Sequence, residues 1–393
     1  MRLGIDASNI RSGGGLTYLL EILRAAEPQD CGITQIVIWA GQETLDQLPA
    51  RPWLQIRHEA LLDQSLPARI YWQYFKLPRL AEESCDCLFV PGGSHSGSFR
   101  PFVGVSSNML PFEPAELKRY GLSWMNLKLR LLRFSQTRGF RRADGIIFLT
   151  EYARATVTEA VQVDGWHPVI PFGINKQFYL EPRPSRPIGA CTPKEPFRLL
   201  YVSKIEPYKH QWSLVEAVAR LRGEGLPLAL DLIGGPENPA AWRELVRVLG
   251  QADPGAEFIH YLDHIPYREL PNYYHRADAF VFASSCENLP NILLEAMAAG
   301  LPIICSNRGP MPELLGAAGS YFNPDHPEEL RQALLSSIED HSLRQHHSQS
   351  AYDRALLYSW ERCARETCSY IAEIAHQAGV KLSVCEQLYQ TTR

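Results

Sequence analysis

Glu181–Pro196 reads EPRPSRPIGACTPKEP, a stretch with five prolines and neither a two-residue nor a 3.6-residue apolar repeat. Proline fixes φ and offers no amide donor, so neither a helix nor a sheet is expected to run through it. The stretch reads as a linker, and the chain on either side decides the fold. Before it, short apolar runs predict strands over Arg2–Asp6, Thr34–Ala40, Cys87–Pro91, Gly145–Leu149 and Val169–Phe172, with a glycine-rich turn and a helix over Leu16–Ala25. After it the alternation restarts. Strands are expected over Arg198–Ser203, Leu228–Ile233, Glu257–Tyr261, Ala279–Ser284 and Leu301–Ser306, with helices over Gln211–Arg222, Ala241–Leu249, Tyr267–His275 and Asn291–Ala299. Short apolar strands separated by amphipathic helices specify parallel sheets covered on both faces. The expectation is an α/β chain of two doubly wound Rossmann-like domains, 1–180 and 197–359, facing each other across a cleft. The linker is 181–196, and within 360–393 the helix Trp360–Gln377 reaches back towards the first domain.

A length of 393 residues suits two such domains, and 45% hydrophobic with 21% charged residues excludes disordered, collagenous and coiled-coil chains. The net charge of −4 gives no reason to expect a nucleic-acid partner. No apolar run is long enough to span a bilayer, and the opening Met-Arg-Leu-Gly-Ile-Asp is no export leader. A cytoplasmic location, soluble or peripheral, is the expectation. The nine cysteines are odd in number and irregularly spaced, which suits buried reduced thiols; no metal-ligand spacing is visible.

Three groups of residues carry chemistry. Gly13, Gly14 and Gly15 follow the first strand, where glycines let a backbone approach a phosphate or sugar; a plain tight turn is the alternative. Lys204 and Lys209 bracket a strand-loop-helix junction, where two ammonium groups and a helix dipole suit a diphosphate; a solvated lysine pair is the alternative. Glu287 and Glu295 lie in CENLPNILLEAMAAG, with Pro290 placed for a helix start and Gly300 for its end. Glu295 sits on the same helix face as Asn291, among Ile, Leu, Ala and Met, and a carboxylate there needs a partner. A ribose diol would supply one, as would an internal salt bridge.

The run Ala277–Gly300, with its Glu287/Glu295 pair, resembles glycosyltransferase family 4, retaining enzymes of the GT-B architecture. The Gly13–Gly15 turn, Lys204 with Lys209, Pro171-Phe172-Gly173-Ile174 and Ser359-Trp360-Glu361 fit the same family. The resemblance implies that Glu295 binds the nucleotide ribose and that Glu287 faces the hydroxyls of the transferred sugar. Asn288, Leu289 and Asn291 help to hold the donor, and Lys204 and Lys209 neutralise the departing diphosphate. It implies transfer of a hexose from GDP-mannose or a UDP-sugar to a glycan or lipid-linked glycan in surface polysaccharide (O-antigen type) assembly, with no cofactor or metal required. Many relatives carry a histidine in the first domain. Here Ser107-Asn108 stands where a His-Asn pair would be unsurprising, so Asn108 and, in a neighbouring loop, His95 are the acceptor-side candidates. No carboxylate nucleophile is apparent, which favours front-side displacement. Leu262–Ile265 is the expected base-binding loop. Other readings are a sugar-nucleotide epimerase and a non-catalytic two-domain sugar-nucleotide-binding protein.

Residues 117–142 contain eight Lys/Arg and no acid, interleaved with Leu122, Trp124, Met125, Leu127, Leu131, Leu132 and Phe134. Such a helix suits an anionic membrane surface, or an ordinary core helix whose arginines are solvated.

Overall fold

The structure, a computed structural model, describes residues 1–93, 95–163 and 165–380. They form two compact units. One comprises Met1–Phe112, Trp124–Gly173 and the chain from Ser359; the other comprises Glu113–Ser123 and Ile174–Tyr358.

The first unit holds a parallel six-stranded sheet of β1 (Arg2–Asp6), β2 (Gln35–Ala40), β3 (Leu54–His58), β4 (Cys87–Val90), β5 (Phe102–Ser106) and β6 (Gly145–Phe148). Its spatial order is β3-β2-β1-β4-β5-β6. β4, β5 and β6 are buried at every residue, which is why their sequences are continuous apolar runs rather than alternating ones. The edge strand β3 (LQIRH) is half-exposed to exposed along its length and carries no such signal. Val169–Phe172 is not a strand. Val169 makes a single bridge to Phe148, and Pro171 has no amide to continue a ladder. The helix Trp360–Gln377 belongs to this unit. It sets Trp360 against Phe172 and Tyr18, with ring centroids 5.9 and 6.3 Å apart, while Tyr18 stacks on Phe172 at 4.6 Å.

The second unit repeats the plan with β7 (Phe197–Val202), β8 (Leu228–Ile233), β9 (Ile259–Leu262), β10 (Ala279–Phe282), β11 (Ile303–Ser306) and β12 (Gly319–Phe322), all parallel, in the order β12-β11-β10-β7-β8-β9. β12 is another half-exposed edge strand without a wholly apolar run. The stretch Tyr267–His275 divides into a 3₁₀ turn, Tyr267–Glu269, and a helix, Leu270–Arg276. Pro271 falls at the second position of that helix, where its missing amide costs nothing.

The proline-rich stretch lies within the second unit, and the division between units falls at Gly173–Ile174. It holds a single 3₁₀ turn, Ile188–Ala190, and polar side chains strap it down. Arg183 donates to the Ala277 carbonyl at 2.8 Å, Arg186 to Asp278 at 2.9 Å, and the Ser185 amide to Gln345 at 2.7 Å.

Candidate functional site

In the second sheet β7 lies between β8 and β10, so the connections leaving β7 and β10 diverge to opposite sides and open a crevice at their carboxyl ends. The candidate donor residues stand on these two connections. Past β7 come Lys204 and the 3₁₀ turn Pro207–Lys209; past β10 comes Glu287, then the helix Asn291–Ala298. Lys209 and Glu287 form an ion pair with side chains only 9 and 14% exposed. The Tyr208 and Phe282 rings flank the ammonium at 5.2 and 5.5 Å, and the Tyr201 hydroxyl donates to the Lys209 carbonyl at 2.6 Å. Lys204 differs: its side chain is 61% exposed and it pairs with Glu237 at 3.0 Å. Each lysine thus has its own carboxylate.

The Asn291–Ala298 helix starts at Pro290 with no side-chain cap, so its first amides are left for another acceptor. Asn288 and Leu289 are buried in the preceding turn, and the buried Oδ1 of Asn291 has no hydrogen-bond partner among the described residues. Glu295 is buried one turn on. No salt bridge serves it among the described residues. The hydroxyls of Tyr267 and Tyr274 donate to its two oxygens, each at 3.0 Å. Burial pushes the carboxyl up to about 7, and the two hydrogen bonds offset part of that rise.

Two further devices shape the crevice. Gly234, just past β8, has φ +135°, and a β-carbon there would lie 2.1 Å from the Ser203 carbonyl oxygen, so only glycine lets the turns after β7 and β8 touch. Its amide donates to the carbonyls of Leu262 and Asp263 at 3.0 and 3.2 Å, which sets the loop expected to hold the base against this turn. The Glu113–Ser123 segment supplies Tyr120, whose hydroxyl donates to Glu206 at 3.0 Å, and Arg119, which bonds Glu116 at 2.7 Å and Asp325 at 2.5 Å. Burial raises the Glu206 carboxyl despite the Tyr120 hydrogen bond. His210 holds the left-handed conformation at φ 52° and meets Ser285 Oγ at 3.0 Å; burial drives its imidazole down to about 4.

The remaining sequence candidates lie in the first unit: Gly13–Gly15 and His95 past β1 and β4, the neighbouring strands equivalent to β7 and β10, and Asn108 past β5. Gly13, Gly14 and Gly15 form the exposed first turn of the helix Gly13–Ala25, whose N-cap Ser12 makes no side-chain cap. Gly13 has φ +68°, and a β-carbon at Gly13 or Gly15 would meet nothing within 4 Å, so packing does not demand glycine there. His95 is buried, with Nδ1 3.9 Å from Asp6 Oδ2 and neither ring nitrogen hydrogen-bonded among the described residues. Asp6 itself accepts from the Ser8 amide at 3.1 Å and from Gln73 at 2.8 Å. Asn108 is half-buried, and its Oδ1 accepts the Leu110 amide at 3.1 Å in a tight turn.

Sequence reasoning missed Tyr267, Tyr274, Tyr201, Tyr208, Phe282, Glu237 and Tyr120. Gly234-Gly235 directly after an apolar strand was a usable signal for the β8 turn. The tyrosines gave none, because a tyrosine in or beside a strand or helix reads first as core.

Residues 196–340 match the family described as glycosyl transferases group 1. Over 171 residues the chain is 32% identical to the O-antigen chain mannosyltransferase B of Escherichia coli, a match covering 43% of this chain and 44% of that protein. The chain therefore spans under half the length of this curated relative. In structure it is similar to sucrose-phosphate synthase from Thermosynechococcus elongatus, with a TM-score of 0.71 at 17% identity over 96% of this chain and 99% of that one. It is also similar to HepE of Anabaena in complex with UDP and glucose, with a TM-score of 0.65 at 17% identity over the same shares. These likenesses show the fold, two Rossmann-like domains of the GT-B type. Lys204, Lys209, Glu287 and Glu295 all fall within the stretch that matches the glycosyl transferases group 1 family.

Proposed function

We propose that the protein is a retaining hexosyltransferase that moves a sugar from a nucleoside diphosphate donor, GDP-mannose or a UDP-sugar, to a glycan or lipid-linked glycan acceptor in surface polysaccharide assembly. The observation that carries this reading is the β7/β10 crevice. It sets a buried lysine–glutamate pair, an uncapped helix N-terminus and a buried carboxylate side by side within the matched domain. The uncapped amides and Lys204 take the diphosphate, and Lys209 joins them once released from Glu287. Glu295 accepts the ribose diol and Glu287 the sugar hydroxyls. In the transfer the acceptor oxygen bonds to the anomeric carbon on the face from which the phosphate oxygen departs, and the acceptor proton passes to that phosphate. The growing charge on the phosphate is what the lysines and helix amides stabilise, so turnover is expected to survive a chelator. Asn108 and His95 are proposed for the acceptor side, and the Gly13–Gly15 turn for a phosphate or sugar of the donor.

The test is a thermal-shift panel of GDP, UDP and dTDP, followed by release of the matching diphosphate from its sugar donors with membrane extract as acceptor source. One nucleotide should stabilise the fold selectively by mass action. Stabilisation by none of them would end the reading, and binding without release would favour the non-catalytic alternative.

The helix Trp124–Arg142 supports a peripheral membrane site. Its core face is Leu129, Gln136 and Phe140, while Trp124, Leu127, Leu131 and Phe134 form a stripe on the opposite face, with Trp124 75% and Phe134 71% exposed. Lys128, Arg130 and Arg138 are exposed with them. A second patch in the same unit, Tyr71, Tyr74 and Phe75, is exposed beside Lys76 and Arg79. No helix among the described residues is long and apolar enough to cross a membrane.

A further inference from the structure

The turns after β7, β8 and β10 carry two cations, Lys204 and Lys209, and three carboxylates, Glu206, Glu237 and Glu287. As they stand, these groups do not favour a diphosphate, because both ammonium groups are already paired. The two pairs are unequal. Lys204–Glu237 is half exposed, so water solvates either partner when they separate and exchanging one anion for another costs little. Lys209–Glu287 is enclosed between the Tyr208 and Phe282 rings, with the Lys209 backbone fixed by Tyr201. A ligand that draws Lys209 away leaves Glu287 in a poorly solvated place without a cation, and an uncompensated carboxylate there is expensive.

Ligands differ in what they give back. The phosphate oxygens of a nucleoside diphosphate only accept hydrogen bonds. They can take Lys209 but offer nothing to Glu287. An intact sugar nucleotide brings hydroxyl donors on the same molecule, so Lys209 turns to the diphosphate while Glu287 accepts from the sugar. We propose that the Lys209–Glu287 pair is a selector that favours the intact sugar nucleotide over the nucleoside diphosphate left after transfer. Once the sugar has gone, Glu287 loses its donors and competes with the diphosphate for Lys209, which speeds product release. The inference rests on the donor-site reading proposed above and adds to it a ranking of two ligands of that site.

The experiment measures, by titration calorimetry, the dissociation constants of the matching nucleoside diphosphate and of its sugar nucleotide with the bridging oxygen replaced by methylene. Wild type is compared with Glu287→Gln, whose amide keeps the shape but releases Lys209. Wild type should bind the sugar nucleotide at least tenfold more tightly than the diphosphate. In Glu287→Gln the diphosphate should tighten severalfold and the sugar nucleotide weaken, bringing their ratio close to one. A ratio unchanged by the substitution, or parallel weakening of both ligands, overturns the selector while leaving the donor site standing. Wild type that binds neither ligand overturns both. A measurement on wild type alone guards against a variant that does not fold. Inhibition by the diphosphate at a Ki well above the donor KM supports the selector, and a Ki below that KM refutes it.

Discussion

At Glu295 burial holds the carboxyl at about 7, against 4.5 when freely solvated. A group whose folded value is raised adds stability that is fully present below the unfolded value and is lost as pH rises through the folded one. Compared with Glu295→Gln, the wild type should therefore lose roughly 3 kcal/mol of stability between pH 4.5 and pH 8. Urea unfolding of both proteins across that window measures it, and parallel pH profiles would show that the group titrates normally. The same ionisation should strengthen nucleotide binding between pH 6 and pH 8 in the wild type but not in the Gln variant, because a protonated carboxyl cannot accept from both ribose hydroxyls. Lys209→Met strands Glu287 and should cost about 3 kcal/mol, most of it recovered in the Lys209→Met/Glu287→Gln double variant, as denaturant midpoints would reveal. Glu295 was legible in the sequence because a carboxylate in an apolar helix demands a partner, Lys209 because it stands at a strand-loop-helix junction, and Glu287 through its motif with Glu295. The partners were not legible. That Lys209 takes Glu287 depends on β7 and β10 being neighbours, a fact of topology that no local stretch encodes, and the two tyrosine hydroxyls that serve Glu295 arrive from the elements before β10.

Among the elements, the glycine turns after β1 and after β8 look alike in sequence but differ in what they tolerate. Gly234→Ala places a methyl group against the Ser203 carbonyl at a φ of +135°, and should destabilise the second unit by more than about 3 kcal/mol or prevent folding. Gly13→Ala meets only open space at φ +68° and should cost about 1 kcal/mol. If the Gly13 turn approaches a ligand, turnover of that variant should fall far more than its melting temperature; a loss in proportion to stability would make the turn structural. Most central strands could be read because burial on both faces forces continuous apolar runs such as CLFV and AFVF; β5 (FVGVS), equally buried, was missed, its apolar run broken by Gly104. The edge strands LQIRH and GSYF could not, because solvent takes part of each and four or five residues are too few to establish an alternation. The placement of Glu113–Ser123 in the second unit was equally hidden. Side chains far off in sequence hold it there, Tyr120 on Glu206 and Arg119 on Asp325.

For the molecule as a whole, charge and exposed apolar surface are divided unevenly. The chain carries a net charge of −4, yet Trp124–Arg142 holds six Lys/Arg and no acid. An ordinary core helix would turn its large apolar residues inwards, and this one turns Trp124, Leu127, Leu131 and Phe134 out. Those residues add nothing to the core, so replacing Leu127, Leu131 and Phe134 together by serine should change folding stability by no more than about 0.5 kcal/mol per site. If the stripe enters the headgroup region of a bilayer, the same triple variant should lose binding to vesicles containing anionic lipid. Arg130→Glu with Arg138→Glu should do likewise, since each basic group near such a surface contributes about 1 kcal/mol. The two variants are expected to separate in salt. Raising ionic strength from 0.1 to 0.5 M shortens the screening length from about 10 Å to about half that, which should weaken whatever binding the serine variant retains and leave the charge-reversed protein little affected. Co-sedimentation with vesicles at both salt concentrations tests the claim. Wild type that fails to sediment with anionic vesicles, or variants that bind as wild type does, would remove the membrane from the account and leave the outward stripe to be explained by a protein partner.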